Sequence, residues 1–135
     1  FMLKQTTHPV PDSSLPQIAF LLGMGRSGTT MLTNMLNVHE GITATPENEF
    51  ILYAYSTFLH RDYRLQQHVD AFANIFNHHF SKVISIWKPG EGLKSDIAAL
   101  KEKNFQNICK LVYLNYPLSR KNKDNVKWVV DKNPV

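Results

Sequence analysis

The sequence predicts an α/β fold with a parallel sheet. Three observations carry this. A short apolar run, Ile18-Ala-Phe-Leu-Leu22, stops at a glycine-rich turn. A helical pattern starts directly after that turn. Two further strand-like segments, residues 42–45 and 126–130, are separated by helical stretches. Strands that alternate with helices are joined by crossovers, and crossovers place strands parallel.

Taken in order, residues 1–16 hold Pro9, Pro11 and Pro16 among Thr and Ser and read as an extended leader with no core of its own. The run 18–22, bounded by Pro16 and Gly23, predicts a buried strand. From Thr29 the spacing turns helical, with Met31, Leu32, Met35 and Leu36 as an apolar stripe, and residues 37–41 end that helix. Ile42-Thr-Ala-Thr45 is a second strand and 47–59 a helix. Residues 65–84 form another helix, with Val69, Phe72, Ile75 or Phe76, and Phe80 on one side. Residues 88–92 are a turn. A single long amphipathic helix is expected over 93–114, turning Ile97, Leu100, Ile108, Leu111 and Val112 to a core. Residues 115–117 close it, a basic loop follows, and strand 126–130 ends in Asp131-Lys-Asn-Pro134. There is no internal repeat and no low-complexity tract.

Composition narrows the function. With 43% hydrophobic and 19% charged residues in 135, the chain is one domain or a piece of one, not a disordered polymer. Its net charge of +4 suits an anionic ligand. No dense Lys/Arg stripe interleaved with aromatics occurs, so nucleic acid is not an expected partner, and Arg120 to Lys123 read as a solvated loop. Cys109 is the only cysteine. It excludes an internal disulfide, fits a reducing compartment with cytoplasmic placement as the expectation, and reads as a buried structural thiol. No apolar run nears the roughly 20 residues of a membrane span, and no signal peptide of the usual form is present. Phe1 precedes Met2 and the chain stops at Val135 just after a motif-like segment, so both ends read as those of a fragment.

The most informative segment is strand, then Gly23-Met-Gly-Arg-Ser-Gly-Thr-Thr30, then helix. Glycines let the backbone turn tightly so that N–H groups converge on an anion. The helix behind them adds its positive N-terminal end. Arg26 can fork onto phosphate oxygens, and Ser27, Thr29 and Thr30 add hydroxyl donors. The spacing is that of a P-loop, with Thr29 where the nucleotide-hydrolysing enzymes carry lysine. The loop therefore suits phosphate but lacks the group that serves γ-phosphoryl transfer.

Two further residues stand out. Glu47, in Pro46-Glu-Asn-Glu49 after the second strand, is placed either as a general base or as an acid complementing a helix N-terminus, with Glu49 in reserve. Lys132, just past the third strand, points either to the crevice at the strand ends or to solvent from a turn closed by Pro134. The six histidines lack ligand spacing, so no metal is expected. Trp87 and Trp128 read as packing residues, and Arg61-Asp62 with Arg64 as a solvated face or an acceptor-side rim.

The run Arg26-Ser-Gly-Thr-Thr30 after an apolar strand resembles the 5′-phosphosulfate loop of sulfotransferases, in the form carried by tyrosylprotein and related Golgi or bacterial members. The resemblance implies a P-loop-like three-layer domain over residues 17–135, with its C-terminal part missing. It implies 3′-phosphoadenosine 5′-phosphosulfate as the co-substrate, held by Gly25, Arg26, Ser27, Gly28, Thr29 and Thr30. It places Glu47 at the position of the base and Lys132 at that of the lysine which stabilises charge on the leaving phosphate and sulfuryl oxygens. His39 matches a family position too, in a structural role. The acceptor would be a hydroxyl, or else an amine, on a protein, a glycan or a small alcohol. The family's 3′-phosphate grip, an arginine and a later serine, would follow Pro134, so this chain alone is expected to bind donor weakly and not turn over. Two other readings stand beside this one: a P-loop kinase or NTPase-like enzyme, which Thr29 disfavours, and a non-catalytic phosphate-binding module.

Overall fold

The computed structural model of the chain describes residues 12–78, 90–115 and 125–134. Three strands make a parallel sheet: β1 (Gln17–Gly23), β2 (Ile42–Ala44) and β3 (Trp128–Pro134). β3 lies in the middle. Along β1 it pairs from Gln17↔Trp128 to Gly23↔Pro134, and along β2 from Ile42↔Trp128 to Ala44↔Val130. All three strands run the same way, so the turn after β1, the turn after β2 and the end of β3 share one edge of the sheet.

The helix α1 (Thr29–Val38) links β1 to β2 and lies on one face. Among the described residues, four helices lie in the connection from β2 to β3: α2 (Phe50–Phe58), α3 (Gln66–His78), α4 (Gly90–Ala99) and α5 (Phe105–Leu114). Side chains alternate along a strand. Val129 joins the core of the helical layer, while Lys132 reaches Thr30 of α1 on the other face. The result is a three-layer α/β arrangement around a parallel sheet.

The main core lies between the sheet and α2–α5. Phe72 meets Phe50, Phe58 and Tyr63 edge to face, at centroid distances of 6.1, 5.4 and 5.9 Å. Leu93, Ile97, Ile108 and Val112 close around this cluster, fully buried. Each such side chain is worth about 1.5–3 kcal/mol relative to exposure. Of the apolar positions expected on these helices, those among the described residues, from Val69 and Phe72 through Ile97 and Leu100 to Leu111 and Val112, are buried.

Several expectations need correction. The stretch 93–114 is not one helix but two, broken at 100–104. Both oxygens of Asp12 take up the N–H groups of Lys101 and Glu102, at 3.0 and 2.8 Å. Asn104 then caps α5 by accepting from the Asn107 N–H at 2.8 Å. Those partners replace helical hydrogen bonds, and periodicity alone does not see them. Secondly, the apolar stripe of α1 faces outward: Met31 is 66% and Met35 62% exposed. The helix packs instead through Thr33, which is buried, and through Asn37, whose side chain bonds both N–H and C=O of Ala44 at 2.8 and 2.9 Å. Thirdly, β1 is an edge strand in this sheet, with Phe20 and Leu22 exposed, whereas Ile18 packs on the core. Finally, β3 runs on through Asp131 to Pro134, and α2 starts only at Phe50, which leaves Glu47 in the turn before it. Within the segment read as a leader, Asp12–Ser14 forms a 3-10 turn and Leu15 packs against the core. Phe80, Ile84, Trp87, His8, His79 and residues 120–123 lie outside the described residues.

Candidate functional site

The loop between β1 and α1 follows from its backbone. Arg26 sits at φ 65° and Gly28 at φ 88°, both left-handed. Gly28 takes this conformation without strain, whereas Arg26 adopts one that non-glycine residues seldom hold. The Ser27 N–H donates to Met24 C=O at 3.1 Å and tightens the turn. Gly28 is the N-cap of α1, and its carbonyl accepts the first helical bond from the Leu32 N–H at 3.1 Å. The preceding N–H groups of the first turn have no partner within the helix. Residues 24–28 are exposed, and among the described residues no carboxylate pairs with Arg26. A cationic fork, hydroxyls and the positive end of a helix thus face solvent together.

Lys132 joins this loop. It extends from β3 opposite Leu21, and its Nζ donates to Thr30 Oγ1 at 2.9 Å. The same Nζ lies 3.8 Å from Glu47 Oε2. Lys132 is mostly covered, its side chain 12% exposed, while that of Glu47 is 54% exposed. The three strand ends therefore bring together one ammonium, one hydroxyl and one carboxylate that sequence reading had placed separately. Glu49 stands apart from them as the N-cap residue of α2, without a side-chain cap bond.

Beneath Glu47 and Lys132 lies a polar cluster that sequence reading missed. Asp131 is wholly buried. Its Oδ1 accepts from Asn48 Nδ2 at 3.1 Å and its Oδ2 from Asn133 Nδ2 at 2.8 Å. Asn48 Nδ2 also lies 3.2 Å from Thr45 Oγ1 and 3.0 Å from the Pro46 carbonyl, and its Oδ1 accepts from the Phe50 N–H at 3.2 Å. Burial pushes the Asp131 carboxyl up from its ordinary value, against the pull of hydrogen bonds from Tyr113, Asn48 and Asn133. Burial, with Asp131 close by, likewise raises the Tyr113 phenol. The available signal was the alternation Asp131, Lys132, Asn133. In a strand it sends the two outer side chains to one face and the lysine to the other, but after a presumed strand end it reads as a turn.

The remaining candidates have local roles. His39 accepts from the Gly41 N–H at 3.1 Å and shapes the turn into β2. Arg64 grips Asp62 at 2.9 Å on the surface, and its hydrogen bonds hold the Asp62 carboxyl down to about 2. Cys109 is buried, and burial pushes its thiol up, as suits a packing residue and not a nucleophile. Trp128 is half-exposed. Among the described residues no three His, Cys, Asp or Glu stand together as a metal group, and no helix is long and apolar enough to cross a membrane.

Comparison with known proteins places the chain in a family. The chain is 48% identical over 52 residues to nodulation protein NoeE of Sinorhizobium fredii (strain NBRC 101917 / NGR234). That stretch covers 38% of this chain and 12% of the relative, so the chain matches only a small part of that protein's length. No solved structure matches. The family model described as the sulfotransferase family matches residues 17–135, from the first strand through the loop and on past Lys132. On that match the chain belongs to the sulfotransferase family.

Proposed function

We propose that the protein transfers a sulfuryl group from 3′-phosphoadenosine 5′-phosphosulfate to an acceptor hydroxyl, and that residues 23–30, Glu47 and Lys132 are its donor grip and reacting groups. The observation that carries this is Lys132 Nζ standing between Thr30 Oγ1, at 2.9 Å, and Glu47 Oε2, at 3.8 Å. In an exposed phosphate loop such an ammonium is available to both phosphate and sulfuryl oxygens.

The chemistry is an in-line displacement at sulfur. The acceptor oxygen forms the new S–O bond as the bond from sulfur to the 5′-phosphate oxygen breaks. The acceptor proton passes to the Glu47 carboxylate, and 3′-phosphoadenosine 5′-phosphate leaves with the bonding pair. Gly25 to Thr30 would hold the 5′-phosphate with backbone N–H groups and hydroxyls, while Arg26 and Lys132 offset charge growing on the leaving phosphate. Glu47 is exposed, as a base that must meet an incoming acceptor should be. Fixing the donor by its phosphate supplies rate through orientation.

Titration of the full-length protein with 3′-phosphoadenosine 5′-phosphate, against ATP–Mg2+ as control, tests this reading. Selective binding that Arg26→Ala weakens supports it. A preference for ATP–Mg2+ overturns it in favour of kinase-like chemistry.

A further inference from the structure

We propose that Asn48 and Asp131 form a buried latch that sets the spacing of Glu47 and Lys132, which makes both of them positioning residues for sulfuryl transfer; this rests on the roles given to Glu47 and Lys132 above.

Each member of the latch is the chain neighbour of a reacting group. Asn48 follows Glu47, and Asp131 precedes Lys132. The bond between Asn48 Nδ2 and Asp131 Oδ1, 3.1 Å long, is thus a buried side-chain tie between the turn after β2 and the end of β3, beside the longer and more exposed Lys132–Glu47 pair. It is reinforced on both sides. The turn is pinned to β3 by the Thr45 N–H donating to the Val130 carbonyl at 3.0 Å. It is closed on itself by Asn48, which bonds Thr45, Pro46 and the Phe50 N–H. Asp131 is held from its other oxygen by Asn133.

A carboxylate removed from water is costly unless its oxygens are satisfied. No lysine or arginine pairs with Asp131 among the described residues; its hydrogen-bond donors are the side-chain amides of Asn48 and Asn133. Apolar residues would fill this site at less cost to stability. A directional carboxylate–amide pair, by contrast, fixes position. Strand alternation turns Asp131 towards α5 and Lys132 towards α1, so the latch locks the backbone without occupying the space where the donor would sit.

The test uses turnover of the full-length protein. Asn48→Ser keeps an oxygen for the Phe50 N–H but is too short to hold Asp131. Its kcat is expected to fall about 10- to 100-fold, the scale of an ångström-sized misplacement. The KM for donor should stay within a few-fold, because residues 23–30 are untouched. Asp131→Asn keeps an acceptor for Asn48 while its new NH2 meets Asn133, which must turn its amide oxygen inward; with the Asn48 tie intact the variant should retain most of kcat. Adding Glu47→Gln to Asn48→Ser should cost far less than Glu47→Gln alone, since a displaced base has little left to lose. Asn48→Thr, with the same acceptor on a stiffer side chain, repeats the test should Asn48→Ser not fold.

Wild-type kcat in a folded Asn48 variant overturns the latch, and so does a full, additive cost of Glu47→Gln in that background. Failure of the reading beneath it looks different: Glu47→Gln and Lys132→Ala, each alone, would then leave turnover intact, and the latch would fall with it.

Discussion

Adding one carbon at Gly23 probes how tightly the loop between β1 and α1 is set. Gly23 ends β1, and a Cβ there would lie 2.5 Å from Thr29 Cγ2 and 2.8 Å from Ser27 Oγ. Carbon atoms settle at about 3.5–4.0 Å, so the Thr29 methyl must retreat by roughly 1 Å. The Ser27 hydroxyl can swing aside. Thr29 is β-branched, in the first turn of α1, and its χ1 has few alternatives. The displacement therefore passes into the loop and the start of α1. Overpacking of this kind costs about 1–3 kcal/mol of stability. Gly23→Ala should lower the midpoint of urea unfolding accordingly and weaken binding of 3′-phosphoadenosine 5′-phosphate in calorimetric titration. Thr29→Ser removes the offending methyl and keeps the hydroxyl, so the double variant should regain most of both. Unchanged stability and affinity in Gly23→Ala would refute this packing account, as would a double variant no better than the single one.

Gly28→Ala isolates backbone strain, because φ is 88° and no atom lies within 4 Å of the added Cβ; it should destabilise the protein by about 1–2 kcal/mol in urea titration, with Gly28→Asn costing less. Asp12 reports on the break between α4 and α5. Hydrogen bonds from the N–H groups of Glu102 and Lys101 hold its carboxyl below the ordinary 3.8, so its contribution is present above that value and lost as the pH falls through the lowered one. Asp12→Ala should thus cost about 0.5–2 kcal/mol near neutral pH, as loss of a cap does, with the difference from wild type closing in acid.

Much of this was legible in the sequence because it depends on local pattern. The apolar run ending at Gly23 gave β1, and the glycine spacing gave a loop whose left-handed positions fall at Arg26 and Gly28. The buried faces of α3, α4 and α5 follow the 3.6-residue period, so Phe72, Ile97 and Ile108 could be read as core. What escaped depends on partners distant in sequence. Asp12 breaks a helix 89 residues away, and only contact reveals that. The stripe of Met31 and Met35 is visible as a stripe, but which side of α1 meets the sheet is decided by Thr33 and Asn37 and by β2. The candidate site divides the same way. Arg26, Thr30, Glu47 and Lys132 could be picked out singly by residue type and motif. Asp131 and Asn48 look like turn residues until strand pairing carries β3 to Pro134 and brings them together.

The affinity of the full-length protein for 3′-phosphoadenosine 5′-phosphate, before and after Arg26→Ala, decides whether residues 23–30 grip the donor. Charge-assisted hydrogen bonds are worth about 1.5–3 kcal/mol, so the substitution should weaken binding roughly 10- to 100-fold. ATP–Mg2+ should compete poorly. Equal affinity in both proteins, or tighter binding of ATP–Mg2+, would contradict a sulfuryl-donor site.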